Sequence, residues 1–236
     1  MGRLMEENTE DAQTKYIQQL EKEIKTTKQP IRSLLHSMIG SAYWEYLQEN
    51  RWDLYDRTQT AEKGKDIETW TAADLHAEIT KNYLASLEDE KALQQAKLST
   101  YEPIIIKGNK RTLRPSLYDL VAHAALDYFA NNERDLQQHA ASFEIADPAA
   151  FAPSPEFSKH HFTINDSNSL YAKALVLYQE LIRFHIADKN PEALIDLDIE
   201  RLQFMQGHAV VEDKEMLYER ALSDIRTRYQ SQPASA

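Results

Sequence analysis

Cysteine is absent from these 236 residues, which removes disulfides, thiolate metal sites and a cysteine nucleophile together. Glycine is scarce, at five residues, and neither a phosphate-cradling glycine loop nor a Gly-x-Ser-x-Gly elbow occurs. No run of about 18 apolar residues is present, so no segment reads as a transmembrane helix. Basic side chains are also in short supply, with 27 Lys and Arg against 38 Asp and Glu and a formal charge of −11. Such a surface repels phosphate backbones and anionic headgroups, so neither nucleic acid nor a membrane surface is an expected partner. The lack of cysteine leaves the compartment open.

Met1-Gly2-Arg3-Leu4-Met5 runs straight into Glu6-Glu7, without the hydrophobic stretch of a signal peptide. Residues 1–8 read as an added start or a flexible N-terminus, 9–229 as one helical domain, and 230–236 as a linker to a following domain. The ending Gln232-Pro233-Ala234-Ser235-Ala236 looks like a linker cut short, so a piece of a longer protein is expected.

What the chain does have is amphipathic helical segments arriving in pairs. Thr9 to Thr27 predicts a weak helix with a narrow stripe of Ile17, Leu20 and Ile24. Pro30 suits a first helical position. From there Ile31, Leu34, Leu35, Met38, Ile39, Ala42, Tyr43, Tyr46 and Leu47 keep helical spacing until Asn50 closes the segment. So wide an apolar face needs at least two covering neighbours. An aromatic and charged connection, Arg51 to Trp70, leads to Thr71 and Asp74, a helix-start signature, with Leu75, Ile79, Tyr83, Leu84 and Leu87 on one face behind it. A short polar helix is expected over Glu90 to Lys97.

Ser99 to Arg114 breaks the pattern and reads as an ordered loop whose Ile104-Ile105-Ile106 plug the helical core. Pro115 then opens a helix with Leu117, Leu120, Val121, Ala124, Ala125, Tyr128 and Phe129 inward, ending near Asn131-Asn132. Glu133 to Asp166 is a long irregular stretch in which Phe143, Ile145, Phe151, Phe157 and Phe162 recur. So many apolar anchors predict an extended segment pinned along a helical surface. Three helices follow: Ser169 to Asp188, one opened by Asn190-Pro191, and Asp213 to Tyr229. Links of about two to six residues make such helices antiparallel neighbours. The expected fold is therefore all-α, with antiparallel helical hairpins in a tetratricopeptide-like α-solenoid of about six to eight helices and long ordered loops. No strict repeat of about 34 residues is evident.

Chemistry-bearing side chains are present but do not assemble into a motif. Adjacent His160 and His161 point in different directions, which suits no single metal ion. His76-Ala77-Glu78 is spaced like the zinc deaminase dyad, but that chemistry needs downstream cysteines. His36 and His185 fall on apolar helix faces, as satisfied core histidines do. There is no His-Glu-x-x-His zinc-protease motif.

Asp196 and Glu200 share a helix face and read as solvated, whereas Asp198 lies nearer the apolar side, within reach of Arg201 or of an arginine on a neighbouring helix. The run Glu88-Asp89-Glu90 also reads as surface. Trp44, Trp52 and Trp70 are candidates for a carbohydrate or peptide groove; Tyr43, Tyr46, Tyr83, Tyr128 and Tyr178 fit better as core residues with hydroxyls reaching outward. No catalytic, cofactor-binding or metal residue is assigned. A hydrolase is permitted by the acids and histidines without being proposed by any constellation.

Several strings taken in order resemble the N-terminal helical region of large bacterial alpha-2-macroglobulin-family proteins. They are Ile31-Arg32-Ser33-Leu34-Leu35-His36-Ser37 with Tyr43-Trp44, then Asn50-Arg51-Trp52, Asp66-Ile67-Glu68-Thr69-Trp70, Leu113-Arg114-Pro115-Ser116-Leu117-Tyr118-Asp119 and Ala149-Ala150-Phe151-Ala152-Pro153. The quoted strings run from Ile31 to Pro153, and the resemblance is read over roughly residues 15 to 228.

The resemblance implies a secreted or lipid-anchored envelope protein that traps proteases by cleavage of a bait segment, in many members through a Cys–Gln thioester. With no cysteine, no thioester resides in this chain, and no site is carried over. The family's β-sandwich domains are missing as well. The implied role is a non-enzymatic accessory module without cofactors. Its partners would be the other domains of the parent polypeptide and the proteases it traps, and its place the cell envelope, periplasmic or lipid-anchored through a signal outside this sequence. The alternative is a free-standing tetratricopeptide-like binder of glycans or other ligands in the envelope, using exposed tryptophans.

Overall fold

The computed structural model describes residues 12–57, 64, 66–103, 105, 106, 108, 110–131 and 143–230. Among these the chain is all-helical. Ten α-helices form, α1 (Ala12–Glu23), α2 (Ile31–Glu49), α3 (Arg51–Asp56), α4 (Ala72–Ser86), α5 (Glu90–Gln95), α6 (Leu117–Phe129), α7 (Ser154–Phe157), α8 (Leu170–His185), α9 (Glu192–His208) and α10 (Lys214–Arg228). Two isolated bridges, Lys97 with Ser116 and Ile145 with Ala209, are the only β pairing among the described residues. No described helix is long and apolar enough to cross a membrane. The chain gathers into two compact units, one of Met1–Ala96 with Leu120–Ala125, the other of Lys97–Asp119 with Leu126–Ala236.

In the first unit α2 packs along α4 and also carries α1. The close approach is made by small residues that the apolar periodicity does not count. Ser33, Ser37 and Gly40 recur at i, i+4 and i+7 on α2, and all three are buried. A Cβ at Gly40 would lie 3.2 Å from three ring carbons of Tyr83 on α4, so hydrogen is the largest substituent this contact accepts without a shift. The Tyr83 hydroxyl is 3.1 Å from Ser41 Oγ, which fixes the ring from its far end.

Two helix signals of this region hold, while Pro30 stands one residue before α2, at its cap position and not as its first residue. Asn50 ends α2, its backbone N–H and its Nδ2 both donating to the Tyr46 carbonyl at 3.1 and 2.9 Å. Thr71 and Asp74 form a reciprocal capping box at the start of α4, each side chain accepting from the other's backbone N–H at 3.2 and 3.0 Å. The weak first helix is Ala12–Glu23, with Ile17 and Leu20 buried and Ile24 half-buried beyond its end; residues 9–11 lie outside the described chain. Leu84 departs from expectation, being 45% exposed on the outer side of α4.

The second unit is built on α8, α9 and α10, with α9 packed against both of its neighbours. Residues 143–157 lie against these helices as the recurring aromatics require. Phe143, Ile145, Phe151 and Phe157 are buried, Phe162 is half-buried, and Val210 N–H donates to the Ile145 carbonyl at 3.0 Å. Residues 132–142 of the expected loop lie outside the described chain.

Two expectations are corrected here. Ile106 is 93% exposed and Ile105 half-buried, so the isoleucine run does not plug a core; Ile104 lies outside the described residues. Leu98 goes inward instead, on a 3₁₀ turn tied down by its N–H to the Pro115 carbonyl at 3.0 Å. The second concerns α6, which begins at Leu117 and not at Pro115. Ser116 is its cap, in a second reciprocal box with Asp119, and a helix begins where its first free N–H groups find acceptors.

Candidate functional site

Buried charge is the first place to look for chemistry, and the second unit holds two clusters of it. Arg201 on α9 is 1% exposed, and its Nε and Nη2 lie 2.8 and 2.7 Å from Asp198 Oδ1. Nη1 donates to the Ala150 carbonyl at 2.6 Å, and the guanidinium carbon stands 4.3 Å from the centre of the Phe157 ring. Ser154 Oγ donates to the other oxygen of Asp198. Burial pushes the Arg201 pKa down, and the Asp198 charge opposes that. The α9 pair therefore fastens residues 150–157 to the helix. Asp198 joins Arg201, the partner within its reach on the same helix.

His185, at the last turn of α8, is 1% exposed and sits between two carboxylates. Nε2 is 2.7 Å from Asp119 Oδ1 and Nδ1 is 2.7 Å from Asp188 Oδ2. Ionised carboxylates only accept, so while both acids stay ionised the two contacts call for a proton on each ring nitrogen, the imidazolium form. Burial alone would lower its pKa, but the hydrogen bonds and charges of Asp119 and Asp188 outweigh it and raise the value. Burial would likewise raise Asp119, and it is overcome by His185 and Ser116, so that this carboxylate sits below its usual range. An imidazole with both nitrogens committed in this way has no lone pair to accept a proton from a substrate.

Asp196 and Glu200 are not simply solvated. Arg114 Nη1 is 2.6 Å from Asp196 and Nη2 is 3.1 Å from Glu200, which also accepts from the Tyr178 hydroxyl at 3.2 Å. As their helix positions predict, Asp198 turns inward, apart from Asp196 and Glu200, which one arginine holds together.

The adjacent histidines also separate. His160 Nε2 lies 2.7 Å from Asp147 Oδ2, while His161 is exposed. His36 Nδ1 is 2.9 Å from Asn82 Oδ1, and His76 Nε2 is 3.1 Å from the Tyr55 hydroxyl. No group of three or more potential ligands able to hold a metal ion occurs among the described residues. The five tyrosines read as core are all buried. The tryptophans do not form one surface: Trp70 is buried, its indole N–H donated to the Gly64 carbonyl at 2.7 Å, whereas Trp52 is 83% exposed.

Among the described residues of the second unit lie two open grooves. One, of about 280 Å³, is walled by Phe143, Ile145, Phe162 and Thr163 beside the His160–Asp147 pair. The other, of about 250 Å³, runs between residues 148–153 and α10, with Pro148, Phe151 and Pro153 on one side and Leu217 and Ala221 on the other. Arg220 and Asp224 stand on its α10 wall, and a narrower cleft next to it reaches Arg228 above the buried Asp198–Arg201 pair. Sequence reasoning misses this groove because its wall is made by a pinned loop that no periodicity reports. A spacing of i, i+3, i+4, i+7 and i+11 from Leu217 through Arg220, Ala221 and Asp224 to Arg228 is the one signal for it.

No protein-family model, curated protein or solved structure matches the chain.

Proposed function

We propose that this chain is a non-enzymatic interaction or spacer module, built as tetratricopeptide-like helical hairpins, on the N-terminal side of a bacterial alpha-2-macroglobulin-like protease-trapping protein of the cell envelope. The observation that carries the non-enzymatic part is the use made of buried charge. Arg201, Asp198, His185 and Asp119 are each committed to fastening one segment to another.

The family part rests on the ordered strings, and their positions fit a framework role. Asp66 caps a 3₁₀ turn, Ser116 and Asp119 box the start of α6, and Ala150 supplies the carbonyl that Arg201 grips. The solenoid part rests on α8, α9 and α10 following one another through short links, with α9 packed on both neighbours. The two grooves of the second unit are open and of a kind that can receive another chain.

The test uses the full-length polypeptide that contains this region, beside a version lacking residues 9–229. Reduced protease capture or loss of retention in the envelope is the expected result. Capture, retention and recovery of partners all unaltered would overturn the proposal. A second reading, an envelope glycan binder, draws on the exposed indole of Trp52. Its signature is a saturable tryptophan-fluorescence response to envelope oligosaccharides that disappears in Trp52→Ala.

A further inference from the structure

We infer that the groove between residues 148–153 and α10 takes an extended peptide segment carrying two acidic side chains four residues apart. The inference rests on the reading of the chain as an interaction module and gives that module a partner chemistry. It starts from charge. On a chain with a formal charge of −11, Arg220 on the groove wall and Arg228 on the adjoining narrow cleft lie along one side of α10, are exposed, and among the described residues make no hydrogen bond or ion pair. The guanidinium fork is matched by a carboxylate, and the groove's facing wall offers none, presenting Pro148, Phe151 and Pro153, while Asp198 in the cleft beside Arg228 is already held by Arg201 and Ser154. Asp224, midway between the arginines, is the one carboxylate on the stripe.

Geometry then sets the form of the ligand. Positions 220 and 228 are eight residues apart on a helix, about 12 Å along its axis. Four residues of extended chain cover about 13 Å, and residues i, i+2 and i+4 of such a chain face the same way. An acidic residue at i meets one arginine and a second at i+4 meets the other, while a small hydroxyl residue at i+2 donates to Asp224. The alternate side chains point the other way, onto the facing wall of Pro148, Phe151 and Pro153. Recognition has to come from side chains, because α10 spends its backbone groups on itself and the two prolines have no N–H, so neither wall is a free strand edge.

The probe is fluorescein-labelled Glu-Leu-Ser-Leu-Glu, compared by fluorescence anisotropy with Lys-Leu-Ser-Leu-Lys on the full chain. Saturable binding of the acidic peptide with Kd below about 1 mM is expected. It should weaken roughly tenfold in Arg220→Glu/Arg228→Glu and between low and high salt, with no binding of the basic peptide. Both arginines are exposed, so the variant should keep the natural circular dichroism and urea midpoint, and Glu219→Lys on the same helix serves as a charge control. Equal binding of the two peptides, no saturation, or binding indifferent to the double reversal would overturn the inference. Self-association that is lost in Arg220→Glu/Arg228→Glu would also overturn it, assigning the groove to a second copy of the chain. A silent peptide combined with impaired capture by the full-length protein lacking residues 9–229 would remove this groove's role alone and leave the module reading standing.

Discussion

Arg201 and Asp198 sit three residues apart on α9, and two nitrogens of the guanidinium close on the same carboxylate oxygen at 2.8 and 2.7 Å. Because Nη1 reaches across to the Ala150 carbonyl, this helix-internal pair is also the rivet of the 148–157 segment. Removing one partner leaves the other charged and buried, which costs about 3–5 kcal/mol, whereas replacing both with apolar residues avoids the uncompensated charge. Arg201→Met is therefore expected to lose several kcal/mol in urea unfolding. Arg201→Met/Asp198→Leu should recover a large part of that loss. A single variant within about 1 kcal/mol of the natural chain would show that the pair is not a rivet.

The His185 cluster predicts a sloping pH dependence. The imidazolium is held above its unfolded pKa of about 6.5, so its contribution is complete below that pH and declines as pH rises towards the folded value. Asp119 is held below its unfolded value of about 3.9, so its contribution is complete above that and is lost as pH falls. Together they give a plateau between about pH 4 and 6.5, with loss on either side. Urea midpoints for the natural chain and His185→Gln should converge as pH is raised from 6 to 9. A constant gap would contradict the assignment.

Two glycines should respond oppositely to enlargement. Gly207, on α9, has nothing within 4 Å of an added Cβ, so Gly207→Ala should gain up to about 1 kcal/mol from helix propensity. Gly40 faces a ring that is buried and held at both ends, so Gly40→Leu should lose about 1–3 kcal/mol through overpacking. Thermal unfolding of the two variants decides both signs.

The capping boxes differ in what hangs on them. Thr71→Ala removes one cap and should cost about 1 kcal/mol. Ser116→Ala also takes a hydrogen bond from the carboxylate that neutralises His185, so a larger loss is expected from the same chemical change. Chemical denaturation of the two alanine variants side by side checks the order.

Much of this architecture is legible from residues alone, and the exceptions have physical causes. Periodicity finds α2, α4, α6, α8, α9 and α10, and local signals find Asn50 and the Thr71 box, because each depends on contacts within a turn. The Asp198–Arg201 pairing is readable for the same reason. His185 reads as a core histidine, but its partner Asp119 is 66 residues away and no local pattern reaches it. The isoleucine run fails because a short apolar stretch carries no information on whether anything covers it. The seam of Ser33, Ser37 and Gly40 goes unread because a count of apolar positions passes over small residues that bury by letting a neighbour come close. The α10 groove needs a loop wall, and that wall is set by contacts of residues 148–153 with α9 and α10 that no local pattern reports.

That buried ionic groups here serve architecture and not chemistry is tested most directly by placing Arg201→Met/Asp198→Leu in the parent polypeptide proposed above and measuring its proposed protease capture. With the folded fraction matched by circular dichroism, capture equal to that of the natural protein is the predicted result. A variant folded as well as the natural protein and yet unable to capture would contradict it.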